Sequence, residues 1–517
     1  MRSASVRRAA PVVLGVDIGT SSSKGVLVDP DGRLVRARVL EHRVDRPGPG
    51  RAEMDGRIWW REFVALSRDL LAPGDVRVCA VGVSGMGPCV LLTDAGGTPL
   101  RPAVLYGVDT RAGEQIERMN ERFGADEIIQ RCGSALSSQA AGPKIAWVAD
   151  TEPELFARAR RLFMPSSWLA YRLTGRYLLD HHSASQCTPF YDTEAQDWYR
   201  PWIDPFAPGL ELPPLCWPGD VAGEVTAGAA AETGLPEGVP VVAGTIDAWS
   251  EALSVGAQGV GDLMLMYGTT MFLVHTVPHR LTSPSLWGTV GALPGTRNLA
   301  GGMATSGAIT GWLRDLVAGT DHTELLRLAE RSGAGARGLL MLPFFAGERT
   351  PILDPRARGL IAGLTLSHGP GDIYRAALEA TGLAVRHNIE TIEAAGGDIR
   401  RIVAVGGGTR GGLWTQIVSD ITGREQQIPA QTIGASYGGA FLAARTVMDV
   451  SIETWNPIAG VRRPRPEPAA DYDELYRLYR ELYAGSRSVV HALAARQERL
   501  PDAFRSTHRP PAEGAAP

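Results

Sequence analysis

The sequence predicts an α/β protein of two domains. Three observations carry this. At 517 residues the chain exceeds the size at which a single hydrophobic core keeps growing. Short apolar, strand-like runs alternate with stretches of helical periodicity. One pattern then occurs twice: an apolar run, Gly-Thr-[Ser/Thr], and a second apolar run. It is "VLGVDIGTSSSKGVLV" at 13–28 and "DLMLMYGTTMFLVHTV" at 262–277. We read the pair as a weak internal duplication, two half-molecules each opening on the same hairpin.

The elements follow in chain order. "VVLGVDI" and "SKGVLVD" are strands flanking the first turn, "DPDG" (29–32) is a turn, and "RLVRARVLEHRV" is a third strand. "RIWWREFVALSRDLL" has helical periodicity, and "VRVCAVGVSG" reads as a buried strand. Residues 105–235 are helical and loop-rich, with Pro and Trp clustered around 198–218, an insertion expected to form walls or a lid. "VPVVAGTIDAWSEAL" is strand, turn, helix. The pattern restarts at Gly261. "GDIYRAALEATGLAVRHNIETIEAAG" is a long helix ending at Gly396, and "IRRIVAVGGGTRGGLWTQIVSDITG" is strand, Gly-rich turn, helix. An amphipathic helix follows at "DYDELYRLYRELYAGSRSVVHALAARQ". The expected division is 11–257, 258–500 and a disordered tail at 501–517. "MRSASVRRAAP" is expected to be a frayed leader, not a signal peptide.

Composition narrows the function classes. The chain is 44% hydrophobic and 21% charged, with a net charge of −4. That balance speaks against nucleic acid or an anionic membrane as partner. No uninterrupted apolar stretch reaches the roughly 18 residues of a membrane span. The five cysteines are scattered without a C-x-x-C pair, so reduced thiols in a cytoplasmic protein are expected. Only two lysines occur, Lys24 and Lys144. Lys24 stands beside the hydroxyl-rich turn, where an outward strand lysine is favoured over a phosphate contact.

Backbone N–H groups at a tight glycine turn can surround an anion, and neighbouring hydroxyls add donors. "GTSSS" and "YGTT" are therefore candidate phosphate cradles. "AVGGGTRGGLW" places a Gly-rich turn between a strand and a helix, where open α/β sheets bind nucleotides. Any one of these could be a plain turn. The three together favour a phosphate-bearing ligand between two domains. No Gly-Lys dipeptide exists, which excludes a Walker A loop, and "GGGTRGG" is not followed by an Asp about 20 residues on in a clear βαβ unit, which makes a dinucleotide a weak alternative. Asp17, at a strand end ahead of the first turn, can hold Mg²⁺ or its water shell. Asp247, in "AGTIDAWSEA", suits a helix N-cap or a catalyst, and position alone does not separate them.

Taken together, these segments resemble the FGGY carbohydrate kinases of the actin/hexokinase/Hsp70 ATPase superfamily, from about Val12 to Pro501. "GLIAGLTLSHGPGDIYRAALEA" (359–380) is similar to the family's C-terminal signature, and "PKIAWVAD" (143–150) resembles its other signature around Lys144 and Trp147. "RAEMDGRIWW", "FFAGERTPILDPRARG" and "TSGAITGWLRD" are further family-like stretches, and the tyrosine-rich C-terminal helix is similar to that of xylulokinases. The resemblance implies two actin-like (ribonuclease H-like) domains with a ligand cleft between them. It assigns Gly19, Thr20, Ser21 and Ser22 to a first phosphate loop and Gly268 and Thr269 to a second. Asp17 becomes the metal-associated acid. Gly307, Gly407 and Gly408 fall to the adenosine side, with Gly411 and Gly412 where relatives carry Ser or Asn. Asp247 matches the catalytic base. ATP and Mg²⁺ are the implied cofactors, and a homodimer is the implied assembly.

The acceptor is less determined. Xylulokinases carry Gly-Gln-Met-His-Gly along the sugar pocket, whereas here Met86, Gly87, Pro88 and Cys89 replace Gln, Met, His and Gly. "LYGVDTRA" (105–112) resembles the family's Trp-x-Asp-x-Arg segment. It makes Asp109 a candidate sugar ligand, or a helix cap, with Arg111 as its ion-pair partner. Trp249 either stacks on the sugar or packs in the core. The expected function is ATP-dependent phosphorylation of a ketopentose. The alternatives are a kinase for another polyol, sugar acid or signalling diol, and a non-catalytic sugar-binding regulator on the same fold.

Overall fold

A hydroxyl-rich hairpin opens the chain in the computed structural model, which describes residues 9–317 and 321–499. The expected disordered tail at 501–517 and most of the expected leader lie outside the described residues. Contacts gather the chain into two units. Unit 1 comprises the described residues up to Val260 with Thr276–Asn298 and Gln431–Pro457. Unit 2 comprises Gly261–His275, Leu299–Ala430 and the described residues from Ile458 on.

The strands of unit 1 are β1 (Ala10–Ile18), β2 (Ser22–Val28), β3 (Leu34–Glu41), β4 (Val76–Gly85), β5 (Val221–Glu224), β6 (Pro240–Val242) and β7 (Thr245–Ile246). They pair in the order β5-β6-β4-β1-β2-β3, and β7 also joins β4. β1 runs antiparallel to β2 and parallel to β4, and β4 runs parallel to β6. Helix Gly56–Leu71 starts where Asp55 accepts a hydrogen bond from the Arg57 amide at 2.9 Å. Its Trp59, Phe63, Leu66 and Leu70 recur at helical spacing and are buried against β1, β2 and β4. Each such side chain contributes roughly 1.5–3 kcal/mol of burial.

Helix Ala435–Val447 returns to the same sheet and touches backbone. A Cβ on Gly15 of β1 would lie 1.9 Å from the Ser436 carbonyl oxygen, and one on Gly82 of β4 would lie 1.9 Å from that of Gly439. Glycine is required here because the helix packs on strand backbone rather than on side chains. The same helix meets helix Asp247–Ser254, since a Cβ on Gly438 would lie 1.8 Å from the Ser250 carbonyl oxygen. The helix that begins at Asp247 is thus clamped to the sheet that carries Asp17.

Unit 2 holds most of a second sheet, with β8 (Asp262–Tyr267), β9 (Met271–Val277), β10 (Arg297–Met303), β11 (Arg401–Val405), β12 (Gln426–Pro429) and β13 (Ile458–Arg462) in the order β10-β9-β8-β11-β12-β13. β8 is antiparallel to β9 and parallel to β11, β11 is parallel to β12, and β12 is antiparallel to β13. This is the pairing pattern of unit 1 with β8 in the place of β1, so the repeated hairpin is the start of a repeated sheet. The long helix Pro370–Ala394 is capped by Asp372, which accepts from the Gly369 amide at 2.9 Å. Tyr472 and Tyr479 of helix Ala469–Glu498 are buried, and Tyr472 donates to Glu379 at 2.9 Å while accepting from Arg375 at 2.7 Å. Among the described residues no helix is long and apolar enough to cross a membrane.

Candidate active site

Parallel pairing in unit 1 brings two acids to one sheet end. Asp17 is level with Ser84 in β4, and Ser84 is level with Thr245 in β7. Asp247 follows two residues later, as the first residue of helix Asp247–Ser254. The carboxyl ends of parallel strands are where open α/β sheets place ligands. Ser84 Oγ donates to Asp17 Oδ1 at 2.8 Å, and the Ala248 amide donates to Asp247 Oδ1 at 2.8 Å.

A third carboxyl joins them. Glu251 lies four residues after Asp247, hence on the same helix face. Burial, then the charge of Asp247, raises the Glu251 pKa to about 7, with Lys24 opposing. Burial, then Asp247, raises Asp17 to about 7; Glu251 adds to the rise, while Ser84 and Lys24 oppose it. Burial raises Asp247 to about 6 against the Ala248 hydrogen bond. All three side chains keep some solvent access. Sequence reading missed Glu251, although its spacing from Asp247 was legible. Lys24 differs from the outward lysine expected: it is partly buried, Nζ donates to the Ile433 carbonyl, and its charge reaches Asp17 and Glu251.

The first turn is held tightly. The Gly19 amide donates to the Ser22 carbonyl at 2.9 Å, and Thr20 Oγ1 shares a 2.8 Å hydrogen bond with Tyr106 Oη. Gly19, Thr20 and Ser22 are partly exposed and Ser21 is exposed. Tyr106 is fixed in turn by Lys144, which donates to its carbonyl at 3.1 Å and also to the Ser138 carbonyl. Arg111 stacks on Trp147 at 4.8 Å. The "PKIAWVAD" residues thus act as scaffolding for the 105–112 segment.

The expected sugar contacts divide. Asp109 is 0% exposed; its carboxylate accepts from the Ala52 amide at 2.6 Å and from Arg111 at 2.7 Å, so its capacity is spent inside the protein. Met86 is 1% exposed in the hydrophobic core, and Pro88 is buried behind a cis Gly87-Pro88 bond. In this structure no free polar surface remains on these three residues. Gly87 does border the site, since its Cβ would lie 2.7 Å from Ile246, the residue before Asp247. Trp249 packs in the core, its ring tilted by 32° against His182 with centroids 3.8 Å apart, and donates to Asn298 at 2.9 Å.

Unit 2 gathers glycines. The Gly307 amide donates to the Gly268 carbonyl at 3.0 Å, and the Ser306 amide to the Thr269 carbonyl at 3.0 Å. A Cβ on Gly307 would lie 2.6 Å from the Gly268 carbonyl oxygen, and one on Gly408 would lie 2.9 Å from Tyr267 Cβ. The second turn, the start of helix Gly307–Leu316 and the 406–408 loop therefore converge. Thr269, Gly407 and Gly411 are exposed, and Gly412 precedes helix Leu413–Thr422 in a left-handed conformation. Such a surface of uncovered backbone accepts a flat or anionic ligand closely.

Residues 12–254 match the FGGY family of carbohydrate kinases, N-terminal domain, and residues 263–447 match its C-terminal domain. The xylulose kinase of Escherichia coli strain K12 is 30% identical over 84% of this chain and 88% of its own length. That of Streptomyces coelicolor is 32% identical over 87% of this chain and 92% of its own. Among solved structures, the xylulose kinase from Rhodospirillum rubrum is similar with a TM-score of 0.86 and 31% identity, covering 93% of this chain and all of that one.

Proposed function

The chain belongs to the FGGY family of carbohydrate kinases, enzymes that phosphorylate sugars with ATP, and on that premise we propose that its acceptor is a ketopentose, xylulose first among them. The observation that carries the mechanism is the Asp247 carboxyl, buried enough to titrate near 6 yet still reachable from solvent. A sugar hydroxyl is far too weak an acid to ionise at neutral pH. Asp247 accepts its proton as the bond to phosphorus forms. The exposed backbone and hydroxyls of Gly19, Thr20, Ser21 and Ser22, with Gly268 and Thr269, receive phosphate oxygens. The glycine surface of Gly307, Gly407, Gly408, Gly411 and Gly412 receives the nucleoside.

Mg²⁺ fits the donor set. Asp17, Asp247 and Glu251 crowd together with Lys24 as the opposing cation, so a divalent cation relieves their repulsion. Among the described residues no three His, Cys, Asp or Glu side chains are arranged to hold a metal by themselves. This suits an ion that arrives on ATP and takes one or two carboxylates. Asp17 is the residue we assign to it; the ion, when bound, neutralises phosphate charge. The reading carries with it a cytoplasmic location, a homodimer, and no nucleic-acid or membrane partner.

The test is a screen of the purified chain against ketopentoses, polyols and sugar acids, reading ADP release. Polyols and sugar acids belong in it because Met86, Pro88 and Cys89 stand where xylulokinases carry polar residues. Xylulose is expected to give the highest kcat/KM. A higher value on another acceptor replaces the sugar; silence on all of them favours a sugar-binding regulator.

A further inference from the structure

Behind the first turn lies a buried pair that the phosphoryl-transfer reading does not use. His42, just past β3, points one ring nitrogen at each of two acceptors. Nδ1 is 2.9 Å from Glu62 Oε2, and Nε2 is 3.1 Å from the Gly19 carbonyl oxygen. The side chains are 5% and 9% exposed. A neutral imidazole carries one N–H and would leave one of these contacts as lone pair against lone pair. With Glu62 ionised, as its lowered pKa favours, both contacts together require the imidazolium. Glu62 Oε2 also accepts from Ser23 Oγ at 2.6 Å, which ties the pair to β2. The His42 amide in turn donates to the Ser21 carbonyl at 2.9 Å. One residue therefore draws two carbonyl oxygens of the turn backward, toward β3.

We propose that His42, kept as an imidazolium by Glu62, is a positioning residue for ATP: it holds the Gly19–Ser22 turn in its phosphate-receiving form and sets a fixed positive charge behind it. The inference rests on the kinase reading above. Carbonyls that face a phosphate repel it; carbonyls pulled onto His42 leave the outer side of the turn to donors. Burial lowers the His42 pKa, but the Glu62 hydrogen bond and charge and the Gly19 carbonyl outweigh it and leave it raised above 6.5. Burial raises Glu62, and His42 with Ser23 outweigh it, leaving it lowered. The groups facing the imidazole are Glu62, flanked by Arg61, from helix Gly56–Leu71, the backbone carbonyls of the turn, and, through Glu62, Ser23 of β2.

The experiment measures KM for ATP and for the best acceptor from pH 5.5 to 9 on full-length protein, with thermal unfolding alongside. In the wild type, KM for ATP rises on the alkaline side, as His42 loses its proton. His42→Gln raises KM for ATP about tenfold, the loss of one charge-assisted contact, and abolishes that alkaline rise, while the acceptor KM stays within about twofold. Glu62→Gln keeps the imidazole but removes its counter-charge. It matches the wild type at pH 5.5 and shows the rise at lower pH, a rescue by protonation that a purely structural role does not give. A Glu62→Gln profile superimposed on the wild type overturns the proposal, as does a His42→Gln enzyme with unchanged ATP KM. If neither variant folds, a wild-type ATP KM that does not rise at any alkaline pH up to the limit where the protein stays folded overturns it. If the wild type turns over no acceptor, the kinase reading fails instead, and ATP affinity by calorimetry replaces KM with the same expectations.

Discussion

Asp247→Asn separates chemistry from stability in opposite directions. The wild-type carboxyl sits at about 6 in the folded chain against 3.8 in a free aspartate, chiefly through burial. At 1.36 kcal/mol per pH unit, that rise is a cost of about 3 kcal/mol for holding the ionised form in the fold. Partial solvent access reduces it to about 1–2 kcal/mol. The sign follows from proton uptake. Between pH 3.8 and 6 the folded chain binds the proton more tightly than the unfolded one. The cost is therefore absent below 3.8, grows through that window and is complete above 6. Asparagine keeps the acceptor toward the Ala248 amide but never ionises. It should raise Tm at pH 8 by about 2–4 °C and leave it unchanged near pH 4. It also removes repulsion from Asp17, so KM for ATP should hold or fall. Loss of the proton acceptor should lower kcat about 10²–10⁴-fold. Steady-state ADP release and differential scanning fluorimetry at the two pH values measure both sides. A kcat within threefold of wild type removes Asp247 as base; a Tm at pH 8 no higher than wild type refutes the burial argument.

Three further substitutions test the remaining assignments. Asp17→Asn should raise the Mg²⁺ concentration needed for half-maximal rate about tenfold while changing the acceptor KM less than twofold; equal effects on both would detach Asp17 from the metal. Gly307→Ala drives a methyl toward the Gly268 carbonyl 2.6 Å away, and should cost about 1–3 kcal/mol and raise KM for ATP severalfold. A normal ATP KM would place the nucleotide elsewhere. Asp109→Asn removes one of the two carboxylates paired with buried Arg111, leaving Glu53 at 2.6 Å, and should lower stability by about 1–3 kcal/mol in denaturant titration. An enzyme of wild-type stability with a raised sugar KM would return Asp109 to the sugar pocket.

Strand, turn and helix order was legible because periodicity and turn chemistry are local. So was the repeated hairpin, since apolar run, Gly-Thr and apolar run needs no tertiary knowledge. Glu251 was legible too, at helical spacing from Asp247, but nothing in the sequence tied it to Asp17, whose pKa its charge raises. Asp109, Met86 and Trp249 could not be settled, because a residue's burial depends on what the rest of the chain brings to it. His42 carried no signal at all. Its partners, Glu62 and the Gly19 carbonyl, are separated from it in sequence by 20 and 23 residues and meet only through strand pairing and helix packing.

The repeat also shows where the two turns differ. Ile18 pairs with Ser23 across the first turn, which leaves four residues, 19–22; Tyr267 pairs with Met271 across the second, which leaves three. Aligning Gly19 with Gly268 puts Met266 where unit 1 has Asp17. In the parallel neighbour strands Asp17 is level with Ser84, and Met266 is level with Val405. One register position thus holds an acid with a hydroxyl donor in unit 1 and two apolar side chains in unit 2. A second carboxylate there would oppose bound phosphates at about 1–3 kcal/mol, with no hydroxyl to hold it and no lysine beside it. Unit 2 instead builds its turn on backbone, where Gly268, Gly307 and Gly408 approach one another or Tyr267 more closely than any side chain permits. A duplicated scaffold therefore splits its roles between the halves. On the proposed reading, proton transfer belongs to the half that carries the acids, the nucleoside to the glycine loops of the other half, and each half offers its own turn to phosphate.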